Sequence, residues 1–499
     1  MAKSPDTSKS SQLSRRNLLV GMGAGTSALT LATVSGVTLS RAEAAILPEP
    51  EQALDFDVVV IGSGMAGCAA ALEAAGAGAR IAMLEKADAR WMGGNSFLAG
   101  GGFSLPLEPT AAARDAYVED YANYCLGRGN EVIFRLMAEH VETDLDWLRG
   151  HGITFGDPTP WPPSRVKMAI VAPGFFAGMP NFFRRMGDRL PEMGCTVVFD
   201  TKARQLLMDT RGAVVGVRAL APEGVIDYRA RSVVIATGGY AGNSQILEAY
   251  SDPNAGAMMV RGIKWATGDG HGLAQQAGAG LKGMGGLMAL HIAAVDRVET
   301  AAGQPASVVP HAVSINNNGE RFVDESRGYV MHGKAVLEQP GQMTTLVFDQ
   351  TIRNSVGESV IATFNRLGLT VHQADTLAGL AAKTGLPADR MQATIAAFNA
   401  AVTDQGAPTA VPPKAQLANR IETPPFYAFS PLVPGITLTF GGIMIDEAAR
   451  ALEPDGRVIP GLYAAGECGG AAFFHDYIGG GALTNALVMG RIAGKGAAG

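Results

Sequence analysis

The stretch from Asp55 to Ser96 reads DFDVVVIGSGMAGCAAALEAAGAGARIAMLEKADARWMGGNS. Its apolar run Val58 to Ile61 predicts a fully buried parallel strand. Gly62, Gly64 and Gly67 follow in G-x-G-x-x-G spacing. The first permits a tight turn, the second lets backbone approach a pyrophosphate, and the third lets a helix pack close to the strand. The Ala-rich run Ala66 to Ala75 predicts that helix, with bare N–H groups and a partial positive charge at its start. A second strand, Ile81 to Leu84, ends in Glu85, where an acid bonds a ribose hydroxyl pair. Strand, glycines, helix, strand and acid in this order predict dinucleotide binding, whereas a merely structural glycine turn leaves Glu85 unexplained. The acid disfavours a 2′-phosphate and hence NADP.

The chain has 499 residues, 47% hydrophobic and 17% charged, which is a globular composition long enough for two domains. A net charge of −6 without a long basic block gives no support for nucleic-acid binding. Cys68, Cys125, Cys195 and Cys468 form no C-x-x-C or C-x-x-C-H, so neither a zinc pair nor a c-type haem is expected. At the N-terminus, Ser14-Arg15-Arg16-Asn17-Leu18-Leu19 opens a weakly apolar run, and Ala42-Glu43-Ala44 offers a small-x-small cleavage site. This pattern resembles a twin-arginine export signal, with Leu18 and Val20 departing from its strongest form. The expected divisions are a signal at 1–44 and a linker at 45–54.

Further along, Gly93-Gly94-Asn95-Ser96 and Gly100-Gly101-Gly102 predict a loop pressed against a flat ligand. Helices are expected over 111–151 and 180–190, and strands at 195–199, 203–208, 214–220 and 225–229. Ser232 to Ala236 predicts a buried strand ending in Thr237-Gly238-Gly239, and Thr267-Gly268-Asp269-Gly270 opens a helix. The region from His291 to about Pro434 lacks a glycine fingerprint and mixes strand and helix patterns, including a helix at 384–402. A third buried strand, Leu462 to Ala465, precedes Gly466-Glu467, and Gly479-Gly480-Gly481 begins the last helix.

Together GSGMAG with Glu85, GGNS, ATGG, TGDG, NGERFVDE, GLYAAGE and the terminal GGGALTNALVMGRIAG resemble the fumarate reductase/succinate dehydrogenase flavoprotein family. The resemblance implies an α/β fold, with a Rossmann-type FAD-binding domain in two segments (55–290 and 435–499) and an inserted α+β capping domain (291–434). It implies FAD contacts at Gly62, Gly64, Met65, Ala66, Gly67, Glu85 and Lys86, and at Gly94, Asn95, Ser96, Gly101, Gly102 and Ala203. Further contacts are implied at Ala236, Thr237, Gly238, Asp269, Gly466, Glu467, Gly481, Ala482 and Leu483. Some members hold the flavin covalently through a His near the GGNS loop; none lies in that segment here, so non-covalent FAD is expected.

The implied chemistry is hydride transfer between flavin N5 and a carbon beside a carboxylate or carbonyl, making or removing a C=C bond. Fumarate reductases use one Arg as proton donor and another as carboxylate clamp; the matching positions here are Tyr329 and Tyr477. A substrate-binding His is matched by Thr437 or Leu438, while His291 is kept. Fumarate itself is therefore not the expected substrate. Paired tyrosines resemble both a tricarballylate dehydrogenase-like branch and the ketosteroid dehydrogenases. A tyrosine acts as acid/base only if a neighbour lowers its pKa, and His332 and His475 are the candidates. The alternatives are a ketosteroid-type enzyme with an apolar pocket rich in Phe and Met and no cation, and a non-catalytic flavin electron carrier. A separate quinone or cytochrome partner is expected.

Overall fold

The structure is a computed structural model describing residues 47–294 and 304–499, without the side chains of 287–294. The expected export signal lies outside the described residues.

The fold is built on a six-stranded sheet. Its strands are β1 (Val58–Ile61), β2 (Ile81–Leu84), β3 (Thr196–Val198), β4 (Ser232–Ile235), β5 (Arg450–Leu452) and β6 (Val458–Ala464). Their order is β5-β6-β4-β1-β2-β3. All neighbours run parallel except the β5–β6 edge pair. β1, β2 and β4 are buried throughout, as their continuous apolar runs require. Alternate residues of β1 serve two cores. Val58 and Val60 pack with helices α1 (Met65–Gly76) and α2 (Gly481–Ala498), while Val59 and Ile61 pack beneath the 202–229 strands.

α2 lies directly on α1. A Cβ at Gly490 would sit 2.6 Å from the Ala66 carbonyl oxygen, and one at Gly494 would collide with the Ala70 carbonyl. The glycines let the backbones approach, so the C-terminal helix is seated on the first βα unit although most of the chain separates them in sequence. This is a two-segment Rossmann-type α/β domain carrying an inserted α+β cap.

The cap has its own apolar core, centred on Phe348, Phe364 and Phe429. Its backbone is the 14-residue strand Phe426–Thr439, which pairs with Leu287–Ala294, Thr344–Phe348, His372–Ala374 and Met259–Val260. His291 lies opposite Gly435 in this ladder, so the expected boundaries at 290/291 and 434/435 are paired residues on two strands. The passage between modules is a continuous ladder, and loops do not mark it.

Two expectations are corrected. Gln52–Leu54, expected within the linker, belongs to an exposed edge strand, Gln52–Asp55, held by a parallel ladder to Gly224–Arg229. Backbone pairing makes it, and its side chains give no apolar alternation. The helix expected at 384–402 begins later, as Ala388–Ala401, and Thr384 is the last residue of a separate helix, Leu377–Thr384. Gly385 at φ +75° ends the earlier helix and Pro387 precedes the later one.

Gly490→Ala should lower stability by ~1–3 kcal/mol, because its Cβ meets fixed backbone of α1. Thermal or urea unfolding of the purified protein checks this; an unchanged midpoint contradicts the tight α1–α2 contact.

Candidate active site

The open ends of β1, β2 and β4 face one cavity of about 870 Å³. It runs from Glu85 and Lys86, past the Gly62–Ala66 turn, to the start of α2 and the cap. Gly62 turns at φ +103°, and a Cβ there would collide with the Ala236 carbonyl. A Cβ on Gly67 would strike the Gly62 carbonyl, whereas Gly64 has nothing nearer than 3.6 Å. Two glycines therefore close the turn, and the middle one leaves room for a ligand.

Of the expected FAD positions, all but Gly67 and Gly481 line this cavity. Those two act through packing: Gly67 against the turn, and Gly481 where a Cβ would strike the Tyr121 hydroxyl. Glu85 is fixed at the end of β2, with one oxygen accepting from Ser63 N at 3.0 Å and Ser63 Oγ at 2.7 Å, the other from Ala87 N at 2.9 Å. Lys86 pairs with Asp269 at 2.6 Å and Lys202 with Asp269 at 3.3 Å, joining the 269–276 helix to the sheet. These lysines hold the Asp269 carboxyl below its ordinary value against the opposing effect of its burial.

Asn95 departs from expectation. Its Nδ2 donates to Thr437 O at 2.8 Å and its Oδ1 accepts from Ile263 N at 2.8 Å, so its amide ties the loop to the cap strand. Ser96 Oγ accepts from Met65 N at 3.3 Å and thereby holds the start of α1. Glu467 is clasped by Thr439, through N at 2.9 Å and Oγ1 at 3.1 Å, and burial pushes its carboxyl up to about 7. The buried Thr437 Oγ1 and Asn485 Oδ1 line the cavity without a hydrogen-bond partner in the protein. Orphaned polar atoms of this kind fit a polar, flat ligand such as FAD.

The structure brings Tyr329 and Tyr477 together. Both line the cavity, and their hydroxyls act on each other in the sense that favours ionisation of Tyr329 over Tyr477. The ring of Tyr477 packs 5.7 Å from Phe473 and 6.2 Å from Phe440. Burial pushes Tyr329 up to about 12 and Tyr477 higher, so both hydroxyls keep their protons at neutral pH. Tyr477 alone acts to lower Tyr329, and neither histidine is among the groups that shift either phenol, contrary to the role expected of them.

His332 does not line the cavity. It is buried in the cap, its Nε2 lies 2.6 Å from Ser314 Oγ, and burial pushes its pKa down to about 4. The adjoining Arg321–Glu325–Lys414 cluster is buried too, with Glu325 2.8 Å from Arg321 and 3.5 Å from Lys414. The NGERFVDE stretch thus builds the cap's interior. His475 also lies off the cavity wall, at φ +68°. His291 sits in the 287–294 strand, and its side chain is outside the described residues. Phe175, Phe176 and Phe473 line the cavity, whereas Phe182, Phe183 and Phe474 do not.

Arg261 lies outside every motif of the sequence. It is buried, lines the cavity, and its backbone N–H donates to Ile436 O at 2.8 Å, one residue before the Thr437–Phe440 wall. Burial pushes its guanidinium down to about 10, which leaves it cationic at neutral pH.

A family model described as "FAD binding domain" matches residues 57–483. The chain belongs to this family, and it is an FAD-dependent oxidoreductase acting on CH–CH bonds. It is 28% identical over 469 residues to a fumarate reductase (cytochrome) of Shewanella frigidimarina, covering 92% of this chain and 79% of that one. It is 27% identical over 558 residues to a 3-oxosteroid 1-dehydrogenase of Mycobacterium tuberculosis, covering 88% and 97% respectively. The open conformation of a flavocytochrome c3 fumarate reductase superposes with TM-score 0.76 at 26% identity, over 90% of this chain and 79% of that one.

Removing the Glu85 carboxylate takes a charged hydrogen-bond acceptor from the nucleotide end. Glu85→Ala should weaken FAD binding about 10–100-fold. The flavin retained after desalting, read at 450 nm against protein absorbance, checks it; full retention contradicts this placement of the dinucleotide.

Proposed function

We propose that this protein reduces a C=C bond conjugated to a carboxylate, with Tyr329 giving the proton. The observation that carries the reading is the pair of protonated phenols, Tyr329 and Tyr477, on the wall of the cavity whose other end holds the dinucleotide fingerprint. Bound FAD supplies the hydride, at N5. Adding a hydride to one carbon leaves charge on its neighbour, and a proton must reach that neighbour. A phenol that stays protonated at neutral pH suits a donor; as a base it would first have to ionise. The Tyr477 hydroxyl would stabilise charge on the Tyr329 oxygen once its proton has left.

Arg261 supports a carboxylate substrate. Lys86 and Lys202 line the cavity at its nucleotide end with Asp269, and Arg261 lines it beside the cap wall. A guanidinium recognises a carboxylate in two-point fashion and orients the attached double bond. The relatives' names span fumarate and a 3-oxosteroid, so the family accepts both acids and ketones. The ketosteroid-type reading draws on the aromatic side of the cavity, where Trp161, Phe175 and Phe176 stand. The buried cation weighs against it.

FAD is held without a covalent bond on this reading. The boundaries 55–290, 291–434 and 435–499 stand with it, the cap covering the reacting carbons. The Arg15-Arg16 pair and the Ala42-Glu43-Ala44 site support twin-arginine export to the periplasm, and a separate cytochrome or quinone would supply electrons. Among the described residues no helix is long and apolar enough to cross a membrane.

The test is anaerobic reoxidation of the reduced protein by a panel comprising fumarate, aconitate, acrylate, urocanate and 4-androstene-3,17-dione. An unsaturated acid other than fumarate should restore the 450 nm band, and the steroid should not. Restoration by the steroid alone would select the ketosteroid-type reading. Tyr329→Phe should slow the responding reaction about 10²–10⁴-fold at unchanged FAD content; unchanged turnover removes it from the chemistry. Arg261→Met should raise KM for the acid about 10–100-fold, read from initial rates, and an unchanged KM would take the carboxylate elsewhere.

A further inference from the structure

Three large aromatic side chains line the cavity and take no part in the chemistry above. Trp161, Phe175 and Phe176 are 39%, 45% and 63% exposed, so they form a rim where the cavity meets solvent. Their rings run in series, Trp161 to Phe175 at 5.9 Å and Phe175 to Phe176 at 6.5 Å between centroids. Each has a fixed seat. The Trp161 N–H donates to Val166 O at 2.9 Å, and its indole lies over Gly479, where a Cβ would come 3.6 Å from Nε1. Phe175 lies on Gly100, where a Cβ would meet its ring at 3.0 Å. The Phe176 N–H donates to Gly100 O at 3.1 Å. The rim therefore rests on two glycine loops, Gly100–Gly102 and Gly479–Gly480, which meet just before α2 and line the same cavity.

Phe176 has φ +59°, a conformation that a bulky side chain adopts only at a cost. Its exposure means that burial within the chain does little to offset that cost. Glycine would make the same turn without strain. Strain and exposure together mark a ring kept for something it meets outside the folded chain. We propose that Trp161, Phe175 and Phe176 set the specificity of this site by holding the apolar tail of a substrate whose carboxylate Arg261 holds. The inference rests on the reduction of an unsaturated acid proposed above and names its class: an unsaturated acid with an aryl or alkyl tail that reaches the cavity mouth.

The two halves of the cavity ask for two chemistries in one molecule. Arg261 belongs to the cap wall and the rim to the glycine loops, so cation and apolar surface lie on different walls of one space. A tail laid across the rim removes apolar area from water on both partners. A second carboxylate placed there would lose hydration, and among the three rim side chains only the Trp161 indole offers it a hydrogen bond. Fumarate therefore lacks the part that the rim recognises. A neutral ketone uses the rim alone and a short acid uses Arg261 alone, whereas a tailed acid uses both.

The test uses the FAD-loaded enzyme, reduced without oxygen, and acrylate, 2-butenoate, 2-hexenoate, 2-octenoate and 3-phenylacrylate. KM should fall about threefold per methylene along the alkyl series until the chain clears the rim. For 3-phenylacrylate it should lie about 10–100-fold below that for acrylate. Whichever arm reaches the lower KM tells an alkyl tail from an aryl one. Trp161→Ala and Phe176→Gly should each shrink the advantage of the tailed acids about 10-fold while keeping their FAD. Calorimetric binding of 3-phenylpropanoate to the oxidised protein should weaken in the same proportion. Because glycine relieves the strained turn, the unfolding midpoint of Phe176→Gly should hold or rise, which separates loss of the tail site from loss of the fold. The rim assignment is overturned if acrylate and the tailed acids share one KM, or if both variants keep the wild-type preference. Reoxidation by no acid at all is a different result: it removes the reductase reading and the tail assignment with it.

Discussion

The structure depends on one close contact, that between α1 and α2. Gly490 and Gly494 bring the last helix onto the backbone of the first, at Ala66 and Ala70. The two helices then begin on the same cavity, α1 after Gly64 and α2 after Gly480. A helix start carries bare N–H groups and partial positive charge, so two such ends face one space. The first suits a pyrophosphate and the second the electron-rich end of a reduced flavin ring. A side chain larger than hydrogen at either glycine would part the helices and separate these ends.

The cap is joined to that body by backbone ladder. The Phe426–Thr439 strand belongs to the cap sheet for most of its length, and its last residues form the cavity wall. Asn95 ties Thr437 to the glycine loop, and Glu467 ties Thr439 to the end of β6. Arg261, the Asn95 loop and Phe440 beside Tyr477 are all referred to this one strand. These cavity-lining groups therefore share one reference strand, and a hydride transfer needs such fixed placement.

Much of this was legible in the sequence. β1, β2 and β4 are short apolar runs, with Gly62 directly after β1 and Glu85 directly after β2. The tyrosine pair was visible because motif alignment put Tyr329 and Tyr477 where relatives keep arginines. The histidines were misjudged because a His near a site residue in sequence need not face it: His332 is on the same helix as Tyr329 but turns into the cap core. Arg261 was missed because it sits outside every motif, and its placement depends on a two-residue strand, Met259–Val260, too short to give a periodic signal. The Gln52–Asp55 strand was missed for a related reason, since its ladder partner lies far along the chain.

The central claim is that one cavity positions the flavin ring against the Tyr329–Tyr477 pair. The crystal structure of the FAD-loaded protein measures this directly. It should show the adenosine ribose on Glu85, the ring at the start of α2, and both tyrosine hydroxyls over one face of the ring near N5. A ring lying elsewhere, or a wall of side chains between it and the two hydroxyls, would contradict the account.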